Sequence, residues 1–416
     1  LAGRALRLIA DGAVDDGGVA GLAGRLHVSE RHLHRTLVAE VGAGPLQLAL
    51  SRRAQTARML VDQTTLPLTD VAYAAGFASI RQFNDVMRRE FGTAPSALRR
   101  TRAPALSAAD PSLVLRLKVR PPYDAAAVGE FLAARAVPGL ELHAGATGGW
   151  THQRTVPLPR GAAVVSVRPA DGHVVLRAGA ADLADTGALV RVIRRWLDLD
   201  ADPDSVGAVL GADPALAASV ACRPGLRVPT TVDPWETCVR AVIGQQVSVA
   251  GATTLLGRLV AGYGDLHAGS ALRRFPTAAV LAEADPERLA AIGMPASRGR
   301  TLHGLALAVA GGDLPLAGGS REDCLAVLAG LPGIGPWTSD YVALRAFGDP
   351  DAFPATDLGV RHGAASLGLP ELARDLTGHA ERWRPWRAYA ATHLWAHAAT
   401  HQKNLKNQKN STKESR

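Results

Sequence analysis

The sequence is poor in the residues that mark secreted, membrane or disulfide-bonded proteins. Its three cysteines, Cys222, Cys238 and Cys324, are too few and too scattered for a disulfide framework or a four-cysteine zinc site. No stretch approaches the roughly 18 uncharged apolar residues of a transmembrane helix, and the first residues lack the basic and apolar segments of a secretion signal. These absences exclude a disulfide-stapled secreted domain and favour a protein of the reducing cytoplasm.

Lysine is almost missing from the body of the chain. Lys118 is the only lysine before residue 400, and the others crowd into 401–416, which we interpret as a disordered basic tail. The formal charge of +8 is uneven, with a net of +5 in 1–102, +4 in 401–416 and −1 between them. A basic end segment favours contact with a polyanion. If the centre binds nucleic acid, it must do so through local geometry rather than bulk charge.

The apolar pattern divides the chain into segments of different structure. A hydrophobic content of 47% with 20% charged residues indicates globular domains. Four runs that alternate apolar and polar residues between 112 and 180 predict strands, and helical patterns follow Asp124 and Asp182. We predict a mainly α, multidomain protein: an all-α double helix-turn-helix domain, a small α+β domain and an all-α helix-hairpin-helix domain. The predicted bounds are 1–102, 113–200 and 201–400, with a linker at 103–112 and the tail at 401–416.

Residues 1–102 contain two copies of a short helix, a tight turn and a second helix. In each copy a serine, Ser29 or Ser79, is expected to cap the second helix. A helix at about 44–61 joins the copies, which suits the reading of successive major-groove segments. The apolar residues predicted to face inward are Leu33, Leu37, Phe83 and Met87. The outward candidates for DNA contact are Arg31, His32, Arg35, Arg81 and Gln82.

The second copy, "AAGFASIRQFNDVMRREFGTAPSALR", resembles the DNA-binding domain of AraC-type regulators. The matching residues are Gly76, Phe77, Phe83, Phe91, Gly92, Pro95 and Arg99. The resemblance covers essentially all of 1–102 and implies double-stranded DNA as a partner, with RNA polymerase as a further one. The alternative is a helical bundle whose arginines are merely solvated.

The stretch "LPGIGP" (331–336) lies between two amphipathic patterns, "REDCLAVLAG" and "WTSDYVALRAF". Glycines here allow positive φ and leave backbone N–H groups uncovered at a helix N-terminus, which suits a phosphate oxygen. This is the helix-hairpin-helix pattern, in which Leu331, Gly333, Ile334 and Gly335 would grip the DNA backbone without reading its sequence. A monovalent cation is a further candidate ligand of the hairpin.

Asp357 follows Gly335 by 22 residues, in "FPATDLGVRH". The hairpin with Pro354, Asp357, Val360 and Arg361 resembles the signature of the helix-hairpin-helix DNA glycosylase superfamily. Ordered segments from "PPYD" to "RPWRAYAATHLW", over about 113–399, resemble the AlkA-type 3-methyladenine DNA glycosylase II. The resemblance implies hydrolysis of the N-glycosidic bond of alkylated bases, of the 3-methyladenine and 7-methylguanine type, after base flipping in duplex DNA.

The resemblance also implies roles for individual residues. Breaking an N-glycosidic bond builds positive charge on the sugar, and a nearby carboxylate can stabilise it and orient the attacking water. Asp357 is the candidate, although an aspartate before an apolar run is also often only a helix N-cap. Trp337, Tyr341 and Trp395 would surround the flipped base, because aromatic faces attract the positive charge of an alkylated purine. Their alternative role is in the hydrophobic core.

Two positions depart from the family pattern. Leu358 follows Asp357 where the AlkA type can carry a tyrosine, so the pocket should be less aromatic and could favour other lesions, such as deaminated bases. Gln246, in "IGQQVS", occupies the place of the leucine wedge that fills the gap left by the flipped nucleotide. A glutamine can fill this gap and hydrogen-bond to the orphan base.

Lyase and metal chemistry are not predicted. Related lyases carry a Schiff-base lysine where this chain has Trp337, and Lys118 belongs to the strand-rich domain, so we expect a monofunctional hydrolase without a cofactor. His393, His397 and His401 recur at every fourth residue, but no acidic ligand accompanies them.

The fusion of an AraC-type domain to an AlkA-type glycosylase resembles the Ada-type adaptive-response proteins. Their four-cysteine zinc domain, which accepts methyl groups, is not among these residues, so methyl transfer is not assigned to them. Two hypotheses remain: a glycosylase with an attached regulatory domain, expected to be monomeric, or a transcription regulator whose glycosylase-like half binds damage without cutting it.

Overall fold

The structure, a computed structural model, describes residues 1–10, 12–99, 113–146, 149–179, 182–316 and 319–414. The predicted linker at 103–112 lies outside the described residues. Among the helices that are described, none combines the length and the apolar character needed to cross a bilayer.

Residues 1–99 form two helix-turn-helix units joined by a long helix. The helices are α1 (Ala2–Ala10), α2 (Ala13–Arg25), α3 (Glu30–Val41), α4 (Pro45–Gln63), α5 (Leu68–Ala74), α6 (Ile80–Phe91) and α7 (Pro95–Arg99). Ser29 and Ser79 cap α3 and α6 as predicted, each accepting a backbone N–H of its own first turn. The four predicted inward residues of α3 and α6 are fully buried. The long helix α4 bears out the predicted connection between the two units.

The α+β segment is built on one antiparallel sheet with the strand order β1-β5-β4-β3-β2. Its elements are β1 (Leu113–Lys118), α8 (Ala125–Arg135), β2 (Glu141–Ala146), β3 (Gly149–Leu158), β4 (Gly161–Ala170), β5 (His173–Gly179) and α9 (Thr186–Trp196). A short 3-10 turn at Leu183–Asp185 precedes α9. Strand β2 is the one the sequence did not predict, because it is a largely exposed edge strand without regular apolar alternation.

The remaining helices pack around two apolar cores, one beneath α12, α13 and α16–α18 and the other beneath α10, α11 and α19–α21. Their bounds are α10 (Pro203–Leu210), α11 (Pro214–Cys222), α12 (Pro234–Gly244), α13 (Val249–Tyr263), α14 (Ala278–Ala282), α15 (Pro286–Ala290), α16 (Ala296–Ala310), α17 (Arg321–Gly330), α18 (Pro336–Arg345), α19 (Leu358–Ser366), α20 (Ala373–Ala380) and α21 (Arg387–Glu414). A 3-10 turn at Glu381–Trp383 precedes α21.

The last helix corrects the prediction of a disordered tail. Helix α21 continues through the predicted boundary at residue 400 and ends at Glu414. Between these points the sequence has no glycine or proline to stop a helix, and its lysines, glutamines and leucine are good helix formers. The basic composition that suggested disorder is therefore compatible with a continued helix.

A buried ion network joins the sheet to the helical part. Arg154 of β3 bonds Glu141 at 2.6 Å and Glu236 of α12 at 2.5 Å. Arg240 of α12 bonds the same two glutamates at 2.9 and 2.7 Å. Each of these buried carboxylates thus faces two guanidinium groups, which compensates for the loss of hydration. The network fixes α12, whose C-terminal end leads to the candidate site.

Candidate active site

The hairpin at 331–335 is held tightly against α16. Gly333 has φ +85°, and a Cβ there would lie 2.0 Å from Oγ1 of Thr301, so a glycine is required for both conformation and space. Gly335 has an ordinary φ of −104°, and a Cβ placed there would meet nothing within 4 Å, so this side of the backbone is open. No side chain caps α18, which begins with Pro336, so its first N–H groups remain available to an anion.

Asp357 is both the N-cap of α19 and the centre of a hydrogen-bond cluster. Its Oδ1 accepts the backbone N–H of Val360 at 3.0 Å and Nε1–H of Trp395 at 2.7 Å. Its Oδ2 accepts Nε1–H of Trp337 at 2.7 Å. The N-cap alternative is therefore correct but incomplete, because two indoles from other helices also hold the carboxylate.

Close packing of α19 against α21 makes the Trp395 contact possible. A Cβ at Gly363 would lie 2.0 Å from the carbonyl oxygen of Leu394, and a Cβ at Gly359 would lie 2.8 Å from the Trp395 ring. Two glycines one helical turn apart on α19 thus let α21 approach closely enough for its indole to reach Asp357.

The three predicted aromatic residues line one open cavity of about 490 Å³ together with Asp357. Trp337 and Tyr341 stack with ring centroids 5.3 Å apart and an interplanar angle of 22°. All three aromatic residues are half-buried, so none belongs wholly to the core. Leu358 is 64% exposed at the rim of this cavity, which fits its predicted place beside the aspartate.

Gln246 lies in the loop between α12 and α13, with an exposed side chain and φ +55°, an uncommon value for a residue other than glycine. The preceding Gln245 ties this loop to the hairpin. Its Nε2 donates to the carbonyl oxygen of Gly333 and to Oγ1 of Thr338, both at 3.0 Å. Arg298 in turn donates to the backbone carbonyl oxygen of Gln245 at 2.6 Å. The hairpin and the Gln246 loop are therefore one connected surface.

Four cationic or titratable residues of the cavity were missed in the sequence. They are Arg135, Arg240, Arg345 and His362. One signal was available for Arg345: it follows Trp337 and Tyr341 at intervals of four on α18, so all three share a helix face. Arg135 and Arg240 come from distant segments, and no local spacing links them to Asp357.

The predicted DNA-contact residues of the two helix-turn-helix units differ in availability. Arg31, His32 and Arg35 are exposed on α3, and Arg81 is exposed on α6. The side-chain oxygen of Gln82 accepts the backbone N–H of Ala78 at 3.2 Å. Gln82 is therefore engaged in the local cap of α6, which sequence reasoning did not foresee.

Histidines of α21 serve as hydrogen-bond partners within the helical part. His393 pairs with Ser219 at 2.9 Å and His397 with Ser366 at 3.1 Å. The side chain of His401 lies outside the description. Over the described part of the chain, no group of three or more histidine, cysteine or acidic side chains is placed to hold a metal ion.

Three family models match successive parts of the chain. They are described as "Helix-turn-helix domain" at residues 22–101, "AlkA N-terminal domain" at 114–233 and "HhH-GPD superfamily base excision DNA repair protein" at 239–386. The order agrees with the fold described above.

Individual relatives agree with the models. The chain is 49% identical over 401 residues to the "Probable bifunctional transcriptional activator/DNA repair enzyme AlkA" of Mycobacterium tuberculosis, covering 94% of this chain and 79% of that protein. It is 37% identical over 285 residues to "DNA-3-methyladenine glycosylase 2" of Escherichia coli, covering 67% of this chain and 95% of that protein.

A solved structure shares the glycosylase fold. The 3-methyladenine DNA-glycosylase from Archaeoglobus fulgidus superposes with a TM-score of 0.60 at 22% identity, over 69% of this chain and 98% of that structure. The resemblances found in the motifs are thereby confirmed. The chain belongs to the AlkA family of 3-methyladenine DNA glycosylases, within the HhH-GPD superfamily, in the form that carries an AraC-type helix-turn-helix domain.

Proposed function

We propose that this protein is a monofunctional DNA glycosylase that releases alkylated purines, such as 3-methyladenine and 7-methylguanine, from duplex DNA. The observation that carries the proposal is the Asp357 carboxylate, held by the N–H groups of Trp337 and Trp395 inside an aromatic cavity. A carboxylate fixed in this way can stabilise a developing positive charge without moving.

In the proposed reaction, the damaged nucleotide turns out of the helix and its base enters the cavity. Trp337, Tyr341 and Trp395 offer aromatic faces, which favour an alkylated and positively charged purine. Asp357 stabilises the oxocarbenium-like sugar and orients water toward C1′. The base leaves with the bonding electron pair, and the water adds to C1′ and gives its proton to the Asp357 carboxylate, which passes it to solvent.

The DNA backbone, and the gap that the flipped nucleotide leaves in the base stack, would contact the connected surface of the hairpin and the Gln246 loop. We propose that the N–H groups of Gly333, Gly335 and the start of α18 bind a phosphate, with a monovalent cation able to share the site. Gln246, exposed on its loop, would occupy the gap and hydrogen-bond to the orphan base.

The lining of the cavity supports the proposal of hydrolysis without a lyase step. A lyase needs an amine to form a Schiff base, and among the described residues no lysine lines the cavity. Lys118 lies on β1, an edge strand of the sheet. We propose that the reaction needs no cofactor.

The helix-turn-helix units would add sequence-specific DNA binding through Arg31, His32, Arg35 and Arg81, with Gln82 contributing only if its cap opens. We propose that the protein acts as a cytoplasmic monomer. We also propose that it activates transcription, an activity that the name of the M. tuberculosis relative gives for that protein, and that it does so through contact with RNA polymerase.

Release of 3-methyladenine from methylated duplex DNA tests the enzyme proposal. We expect release by the parent protein and near-complete loss in Asp357→Asn, with DNA binding retained in both. A folded parent that binds DNA but releases no base would refute the enzyme and favour the regulator that recognises damage without cutting.

A further inference from the structure

Arg345, the last residue of α18, is a buried cation without a counter-ion. Its side chain is almost wholly enclosed, with 4% of the residue exposed. Its Nη1 donates to the carbonyl oxygen of Pro229 at 2.6 Å, while its Nε has no hydrogen-bond partner. Among the described residues no carboxylate lies within ion-pair distance of it, in contrast to the paired Arg154 and Arg240.

Burying an unpaired charge costs free energy, so its retention requires compensation. Part of it comes from aromatic faces: the guanidinium lies 4.5 Å from the ring centroid of Phe131 and 5.1 Å from that of Trp395. Burial lowers the pKa of Arg345 to about 10, and the neighbouring Tyr341 and Asp357 act in the opposite direction. The group is therefore charged at neutral pH.

Arg345 lies at the inner wall of the active-site cavity. It lines both the open cavity and a small adjoining cavity of about 50 Å³, which is also lined by Glu141, Arg154 and Glu236. Asp357 and the exposed Leu358 line only the open cavity. Arg345 is 4% exposed, whereas Asp357 is half-buried and Leu358 is 64% exposed, so the guanidinium lies deeper in the cavity than the carboxylate.

This arrangement matches the movement of charge in the reaction. When the bond from C1′ to the base nitrogen breaks, its electron pair goes to the base, so the base becomes more negative by one charge and the sugar more positive. A cationic lesion departs neutral; a neutral lesion departs as an anion that then takes a proton from solvent. In both cases a fixed cation beyond the base and a fixed anion beside the sugar favour the transition state.

We propose that Arg345 is the electrostatic determinant of base departure and lesion choice: its charge accelerates release of cationic and neutral lesions alike, while it weakens ground-state binding of cationic bases. The inference rests on the proposed glycosylase function. The proposal predicts different effects on the rate of base release and on the affinity for the damaged duplex. The repulsion between guanidinium and base exists only before the bond breaks and only for a cationic lesion.

The test compares Arg345→Gln, which is neutral but polar, with Arg345→Lys, which keeps the charge. Single-turnover release is measured on duplexes containing 7-methylguanine, a cation, or hypoxanthine, which is neutral. Affinity for each uncut duplex is measured in an Asp357→Asn background. For Arg345→Gln we expect release of both bases to slow by on the order of tenfold or more, while the preference for 7-methylguanine in binding rises by a similar factor. Arg345→Lys should stay close to the parent in both.

Arg227→Met is a matched control. Arg227 is 2% exposed, lies 5.4 Å from the ring centroid of Tyr123 and donates to backbone carbonyls, but it is outside the cavity. If Arg345→Gln loses affinity for both duplexes equally, or slows release no more than Arg227→Met, the inference is wrong. Arg345→Met serves the same comparison should Arg345→Gln not fold. A parent that releases neither base would instead overturn the proposed function itself.

Discussion

The two indole hydrogen bonds to Asp357 allow a quantitative prediction about catalysis. Trp395→Phe and Trp337→Phe each keep an aromatic ring but remove one N–H donor from the carboxylate. If the indoles fix the orientation that the reaction requires, each substitution should slow release of the base more than it weakens binding of the duplex.

The magnitude follows from the geometry of the cluster. Both indole bonds are 2.7 Å long and end on a carboxylate, the class of hydrogen bond worth about 1.5–3 kcal/mol. That corresponds to about 10- to 150-fold in rate. Because the Val360 N–H and the other indole still hold Asp357 in each single variant, we expect values near the lower end. The double variant, with one donor left, should lose more than the product of the single effects.

The assay is single-turnover release of 3-methyladenine at saturating enzyme, beside the affinity for uncut duplex in an Asp357→Asn background. Trp383→Phe is the control, because Trp383 is buried and donates Nε1–H to Asp213 at 2.9 Å outside the cavity. It should lower the thermal midpoint without changing release by the folded protein. Equal slowing in Trp383→Phe and Trp395→Phe, or strictly multiplicative single effects, would refute the reasoning.

Three further predictions concern stability. Burial raises the pKa of Asp198 to about 6 from an ordinary 3.8, so folding stability is lost as pH rises through that interval. Asp198→Asn should therefore flatten the pH dependence of the unfolding free energy, measured in urea, between these values. An unchanged slope would contradict this. Glu236→Gln leaves the buried Arg154 short of a counter-ion and should cost about 3–5 kcal/mol in unfolding free energy, whereas a cost under about 1 kcal/mol in denaturant titration would show that the network is dispensable. Gly363→Ala places a Cβ against the Leu394 carbonyl and should lower both the melting temperature and base release, which calorimetry and the release assay check; an unchanged melting temperature would mean that α19 shifts freely.

The elements that sequence reasoning predicted well are those whose signals are local. Ser29 and Ser79 cap their helices because a serine before a polar first turn satisfies a free N–H wherever it occurs. Four strands were predicted from alternation, whereas β2 was missed because an exposed edge strand need not alternate. Likewise the tail at 401–416 was predicted to be disordered from its composition alone. Extending a helix is easier than starting one, and α21 provides a long helix that the tail residues continue.

In the candidate site, too, local features could be predicted and tertiary contacts could not. Asp357, the hairpin and the three aromatic residues could be named because they lie in segments that resemble those of the glycosylase family, and the structure brings the aspartate and the aromatic residues into one cavity. The double engagement of Asp357 by Trp337 and Trp395 could not be foreseen, since it depends on the close approach of α19 and α21 through two glycines.

The burial of individual arginines could not be predicted from the sequence, because it depends on tertiary structure. An arginine in an amphipathic helix is ordinarily a surface residue, and its long stem can reach water from many positions. Arg345 repeats the interval of Trp337 and Tyr341, so its face could be inferred, but its missing counter-ion depends on which carboxylates the other helices bring near. Arg154, also buried, is compensated by two glutamates, so burial alone does not distinguish it from Arg345. A buried charge that lacks a carboxylate partner and lies beside an aromatic pocket is what points to chemistry, because a purely structural role would be served equally well by a neutral side chain.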